Sequence, residues 1–277
     1  MRFDRDTATM SLSPSDLTAA AACEFAFLRR IDFLTRPGIA PLPDDDDPML
    51  RLASVAGNEH EARVLAEYER RGLDIATIPA VIPGLSGQAK RAEQARLTAA
   101  AFARGAEVVY QAAFITADFT GYADFIVRQG DGSYEVQDTK VARSAKVPAL
   151  LQLSAYAAQM RDLGIPVAPT TRLILGTGEE HIAQLAQIDP VYAVQHRRLR
   201  RLVADRMAAP EALEWGDPTV AACGRCPVCS QEVALHEDLF LVANLRASQR
   251  AKLREAGIAT VPQLAASDPE DLPLPLR

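Results

Sequence analysis

Asp124, Asp138 and Lys140 are the side chains in this chain best suited by type and spacing to do chemistry. Asp124 lies in the run 121–127 (Gly-Tyr-Ala-Asp-Phe-Ile-Val), and Asp138 and Lys140 close the run 134–140 (Tyr-Glu-Val-Gln-Asp-Thr-Lys). Both runs read as strands, and Gln129-Gly130-Asp131-Gly132 between them reads as a hairpin turn. Side chains alternate faces along a strand, so Asp138 and Lys140 point the same way while Asp124 arrives from the neighbouring strand. Two acids can hold a divalent cation through oxygen, and a lysine beside them can offset charge on a phosphodiester under attack by water. The plain alternative is an ion pair on an exposed hairpin edge, which would contribute little energy. Tyr134 and Val136 share the face of Asp138 and argue instead for a strand end emerging from a core.

Further along, Gln152 and Tyr156 stand four apart on an expected helix and so share a face. The order Gly121-x-x-Asp124, then Asp138-x-Lys140, then Gln152-x-x-x-Tyr156 resembles the PD-(D/E)XK nucleases, in their RecB-like branch. The resemblance implies a restriction-endonuclease-like α/β core: a central mixed β-sheet flanked by helices. It also implies Mg2+- or Mn2+-dependent hydrolysis of DNA, with Asp124, Asp138 and the main-chain carbonyl of Thr139 as metal ligands. Lys140 would act on the attacking water, and Gln152 and Tyr156 would face the active site and help hold substrate backbone. His60, in Gly57-Asn58-Glu59-His60, is similar to the glycine-to-histidine segment that supplies an imidazole ligand in those nucleases. Read by itself, His60 falls on the inward stripe with Ala56, Val64 and Tyr68, where a histidine is ordinarily a satisfied core residue. Glu59 and Glu61 point to other faces and read as solvated.

The elements that must position these groups follow from punctuation and periodicity. Ser13 and Pro14 open a helix that carries Leu17, Ala20 and Ala21 inward and runs on through 23–28. Residues 37–48 form a proline-rich loop whose four consecutive aspartates, Asp44 to Asp47, read as solvated. Helices are expected over 50–71, 90–104, 148–163 and 191–207, and strands over 74–78, 106–115, 172–176 and 181–188. On the helix at 191–207, Arg197, Arg200 and Arg201 share one face, either an ordinary solvated surface or a phosphate-contacting one. His181 and His196 belong to no motif and read as surface.

Four cysteines are the whole inventory: Cys23 alone, then Cys223, Cys226 and Cys229. No run resembles a signal peptide, so the expectation is a cytoplasmic protein with reduced thiols, where clustered cysteines favour metal over disulfides. RecB-like nucleases of the AddB and CRISPR-associated exonuclease type carry one cysteine before the nuclease core and three after it, around a [4Fe-4S] cluster. The resemblance therefore implies such a cluster here, although the last two cysteines are closer in sequence than is usual there; four-cysteine zinc is the alternative. Closing a loop of about 200 residues, the site would clamp the two ends of the core.

The 277 residues are 48% hydrophobic and 24% charged, enough for a full core, and no apolar run reaches the roughly 18 residues of a membrane span. The net charge of −6 does not announce a nucleic-acid partner, so local positive groups would have to contact one. Three parts are expected: a nuclease domain over 1–235, a helix-hairpin-helix-like segment over 236–267 turning at Gly257-Ile258, and a linker over 268–277. An αα-hairpin without a DNA role is the plainer alternative for the second part. Taken together, these readings give a metal-dependent deoxyribonuclease, with single-stranded DNA as substrate and a helicase as partner implied by the resemblance. The competing class is a non-catalytic DNA-binding module stabilised by the cysteine site.

Overall fold

The structure is a computed structural model and describes residues 1–43 and 48–273. The acidic run Asp44 to Asp47 and the last residues of the expected linker lie outside them. The chain divides into two compact units: Met1–Thr18 with Asp46–Arg201, and Ala19–Asp45 with Leu202–Arg277.

The first unit opens with an antiparallel hairpin of β1 (Arg2–Asp4) and β2 (Thr9–Ser11), followed by α1 (Pro14–Ala22). Asp16, rather than the alanines expected inside, is the deeply buried polar residue of α1. Its carboxylate accepts from the Ser13 amide (2.8 Å) and hydroxyl (2.7 Å) and pairs with the amino terminus of Met1 (2.6 Å). The expected single helix through 23–28 is in fact broken: Cys23 has extended backbone and caps α2 (Glu24–Thr35), accepting from the Ala26 amide.

α3 (Pro48–Arg70), β3 (Ile75–Thr77), α4 (Gly87–Ala103), β4 (Val108–Ile115), β5 (Thr120–Arg128), β6 (Tyr134–Lys140), α5 (Val147–Asp162), β7 (Thr170–Leu175) and β8 (Glu180–Gln184) build the core. Among the described residues the main sheet has six strands in the order β3-β4-β5-β6-β7-β8. β3–β4 and β6–β7 are parallel and the other pairs antiparallel, so the sheet is mixed. Alternation along the strands sends Val108, Phe125 and Val127 to Tyr68 and Val64 of α3. Val109, Ile126 and Val136 go to the opposite face, under Ala101 of α4 and Leu153, Ala157 and Met160 of α5. This is the restriction-endonuclease-like arrangement of a mixed sheet between helices. The strand expected over 181–188 stops at Gln184, because Leu185 begins α6 (Leu185–Ala208), whose Leu185 and Ile188 are buried as helix residues.

In the second unit, Asp32 on α2 is fully buried and takes Arg36 and Arg206 as ion-pair partners and the Leu213 amide as donor. α7 (Pro227–Leu235) starts at Cys226. The first helix of the segment expected over 236–267 is not continuous: Leu239–Leu241 form a short 3-10 turn and α8 (Ala247–Glu255) begins later. The break has a polar cause. Asp238 caps the 3-10 turn and its buried carboxylate gathers Trp215 Nε1 and the Arg250 guanidinium, while Asn244 turns the chain at a φ of 64°. α9 (Val261–Ala265) follows the turn at Gly257, where φ is +82°. No helix of the described residues is long and apolar enough to cross a membrane.

Candidate active site

Asp124 sits where the sheet ladder opens on both sides. Toward β6, backbone pairing with β5 ends at Phe125↔Gln137, and β6 continues instead beside β7, with Asp138↔Leu173 and Thr139↔Ile174. The Asp124 side chain fills the gap: its Oδ2 accepts from both the amide and the hydroxyl of Thr139, each at 3.1 Å. Toward β4, Gln111 would face Asp124 across the ladder, but it lies in the left-handed region at φ 58°. A non-glycine residue there is held at a cost of order 1–3 kcal/mol by its surroundings, and such strain concentrates at functional sites.

Asp138 projects to the α5 face and is 1% exposed. Its Oδ1 accepts from Gln152 Nε2 at 3.3 Å. Its Oδ2 is ion-paired with Lys140 Nζ but receives no aligned hydrogen bond, leaving a buried oxygen with acceptor capacity unused. Burial first, and the nearby charge of Asp124 second, push the Asp138 carboxyl up to about 8, against the pull of Lys140. Lys140, with 37% of its side chain exposed, stands at the solvent edge of the group.

Glu61 on α3 was expected in solvent, yet it joins this group. It is half-buried, Gln111 Nε2 donates to its Oε1, and its carboxyl is raised by burial and by the charge of Asp124, with Lys140 acting oppositely. The sequence signal that could have revealed it is the neighbouring position: His60 and Glu61 together straddle the edge of the inward stripe of α3. Glu59 is exposed, as expected.

His60 is buried, with Nε2 3.1 Å from the carbonyl of Ile174 and Nδ1 3.5 Å from Arg63. Ile174 pairs with Thr139, so the imidazole lies beside the strand register that carries the site. His60, Asp124 and Asp138 do not close into a tight ligand cage; among the described residues, the four cysteines are the group whose ligand atoms converge.

Tyr156 takes a position different from a substrate-facing one. It is 3% exposed and its hydroxyl donates to the Tyr122 carbonyl at 2.6 Å. Its ring packs against Phe119 and Phe114 and lies over Gly121, where an added Cβ would meet it at 2.8 Å. The glycine and tyrosine of the sequence motifs are therefore in contact with each other, and Tyr156 holds β5 at Gly121 and Tyr122, three and two residues before Asp124. Of the other histidines, His181 is exposed, whereas His196 is half-buried and stacked on Tyr192 at 5.2 Å. Arg197, Arg200 and Arg201 are exposed, and Arg200 pairs with Asp118.

Three carboxyl groups and one lysine thus share a small volume, with a buried Asp138 oxygen lacking a hydrogen bond. This oxygen-donor set suits a hard divalent cation.

In the second unit, the Sγ atoms of Cys23, Cys223, Cys226 and Cys229 all lie within 4.8 Å of one another. Cys23 and Cys229 are buried, 3.4 Å apart and unbonded. The hydrogen bond from Cys229 is the largest influence lowering the Cys23 thiol, to about 4, and the same bond raises Cys229. Burial is the main cause lifting Cys226 to about 11. Amides of Arg225 and Cys226 point at Cys223 Sγ, so the set is already arranged to carry thiolate charge.

A mixed sheet between helices, with paired acids and a lysine on adjoining central strands, defines a metal-dependent nuclease architecture. Residues 11–231 match the PD-(D/E)XK nuclease superfamily, and the chain belongs to it. A search of curated proteins found no match.

Proposed function

We propose that the chain is a Mg2+- or Mn2+-dependent deoxyribonuclease that hydrolyses single-stranded DNA in DNA repair or recombination. The observation that carries the reading is the buried Asp138 oxygen, ion-paired with Lys140 and without an aligned hydrogen bond. A divalent cation held by Asp124, Asp138 and the Thr139 carbonyl supplies Lewis acidity toward the phosphodiester and the attacking water. His60 is the imidazole that the resemblance assigns to the cation. The chain's own groups do the rest. Lys140, at the open edge, orients the water and offsets charge developing on the phosphate. Gln152 holds the Asp138 carboxylate in place through Oδ1. Glu61 adds a third carboxyl on the α3 side, raised by burial and by the nearby charge of Asp124.

The preference for single strands, the helicase partner and the AddB or CRISPR-associated exonuclease likeness come from the motif resemblance. So does the helix-hairpin-helix reading of α8 and α9, whose backbone amides would hold phosphates without reading bases. The four free cysteines are in keeping with the cytoplasm as its place. The test is degradation of labelled single-stranded DNA, duplex DNA and RNA by the full chain with Mn2+ or Mg2+. Cleavage of the single strand ahead of the others is expected. Salt-sensitive binding with no cleavage under either ion would replace the enzyme by the binding module.

A further inference from the structure

We propose that the four cysteines hold one tetrahedral zinc ion rather than an iron–sulfur cluster. The inference rests on the cysteine geometry alone and stands or falls separately from the nuclease reading.

The size of the space between the sulfurs carries the argument. All four Sγ atoms lie within 4.8 Å of one another, and Cys23 and Cys229 are 3.4 Å apart. Four thiolates bound at about 2.3 Å to a single zinc stand about 3.8 Å from each other, by the geometry of a tetrahedron. In a [4Fe-4S] cluster each thiolate sits on its own iron, and the irons and sulfides fill the volume between, so the thiolates must stand well outside that volume. The spacing seen here encloses one ion. A cluster would require the sulfurs to move apart.

The backbone resists such a movement. Cys226 caps α7 and Cys229 is its third residue, so these two are tied by one helical turn. Gly224 lies between Cys223 and Cys226 at φ +72°, and an added Cβ there would meet the Phe240 ring at 2.8 Å. Both amides that follow the glycine donate to Cys223 Sγ, at 3.5 Å from Arg225 and 3.2 Å from Cys226. Cys23 caps α2 and accepts from the Ala26 amide at 3.4 Å. Two helix N-termini therefore face the thiolates, and their dipoles favour the negative charge that four thiolates leave on one divalent ion.

The experiment uses the full chain, expressed with iron and zinc both abundant and purified without oxygen, then assayed for metal content and visible absorption. Expected are about one zinc per chain and no iron–sulfur absorption, with Co2+ exchanged into the wild type giving the spectrum of a tetrahedral thiolate site. Metal-stripped chain offered ferrous iron and sulfide together with zinc should take zinc. Iron with acid-labile sulfide and visible absorption, in either preparation, overturns the proposal, and so does a chain that holds no metal. Cys226→Ser should lower zinc content; if that variant does not fold, the cobalt spectrum of the wild type decides. Asp138→Ala should lose cleavage and keep its zinc, which separates this site from the catalytic one.

Discussion

Ionising a carboxyl as deeply buried as Asp138 is costly unless a cation meets it. Between 3.8, its ordinary value, and about 8, the group is protonated in the metal-free folded chain and charged in the unfolded one. Its contribution to stability is therefore complete below the lower value and is lost as pH rises through that window. Cation binding requires that proton to leave, so affinity should rise across the same window. The expected result is that the rise in melting temperature given by Mn2+ grows from about pH 6 to about pH 8, while Asp138→Asn shows little rise at either. Equal Mn2+ effects in the two proteins would remove Asp138 from the site. Glu61 gives a second residue-scale test: Glu61→Gln should lower the cleavage rate by about tenfold or more and leave the fold intact, since its charge acts on Asp124 at a half-buried distance. A rate unchanged within error would return Glu61 to the role of a surface residue.

At the scale of elements, the contact between Tyr156 on α5 and Gly121 on β5 makes a steric prediction. Gly121→Ala places a methyl group against two aromatic rings and should destabilise by about 1–3 kcal/mol, read by denaturant unfolding. Tyr156→Phe removes the bond to the Tyr122 carbonyl and should cost about 1 kcal/mol while leaving Mn2+ affinity unchanged. A large loss of metal affinity without loss of stability would instead give Tyr156 a direct role. These two residues also show how much the sequence discloses. Their spacing is visible as motif, but a motif records only order, and it takes the crossing of α5 over β5 to show that one packs on the other. β5, β6 and α5 are legible because their periodicity and turn residues agree. Three elements are misread for local reasons. Cys23 interrupts what looks like one helix because its sulfur caps the next, Asp238 does the same near the carboxy terminus, and Leu185 changes from strand to helix within an unbroken apolar pattern. Glu61 escapes notice because helical periodicity places it at the margin of the buried stripe, where burial depends on the strained Gln111 of another element.

For the molecule as a whole, Ala19–Asp45 and Leu202–Arg277 form one compact unit that contains all four cysteines, while the candidate catalytic residues lie in the other. Removing the cysteine-bound metal should therefore loosen α2 and α7 first, seen as faster amide exchange there than in β4 to β7. Uniform exchange changes across both units would show that the metal acts on the entire fold. A net charge of −6 gives no global attraction for DNA, so the proposed binding would draw on the cation and on local groups such as Lys140 and Arg197. The central claim is catalytic and is tested most directly by degradation of single-stranded DNA with Mn2+, comparing wild type and Lys140→Ala at equal concentration and fold. Cleavage by the wild type with a loss of about a hundredfold or more in the variant is the predicted result. Equal cleavage by both, or binding without cleavage by the wild type, would contradict it.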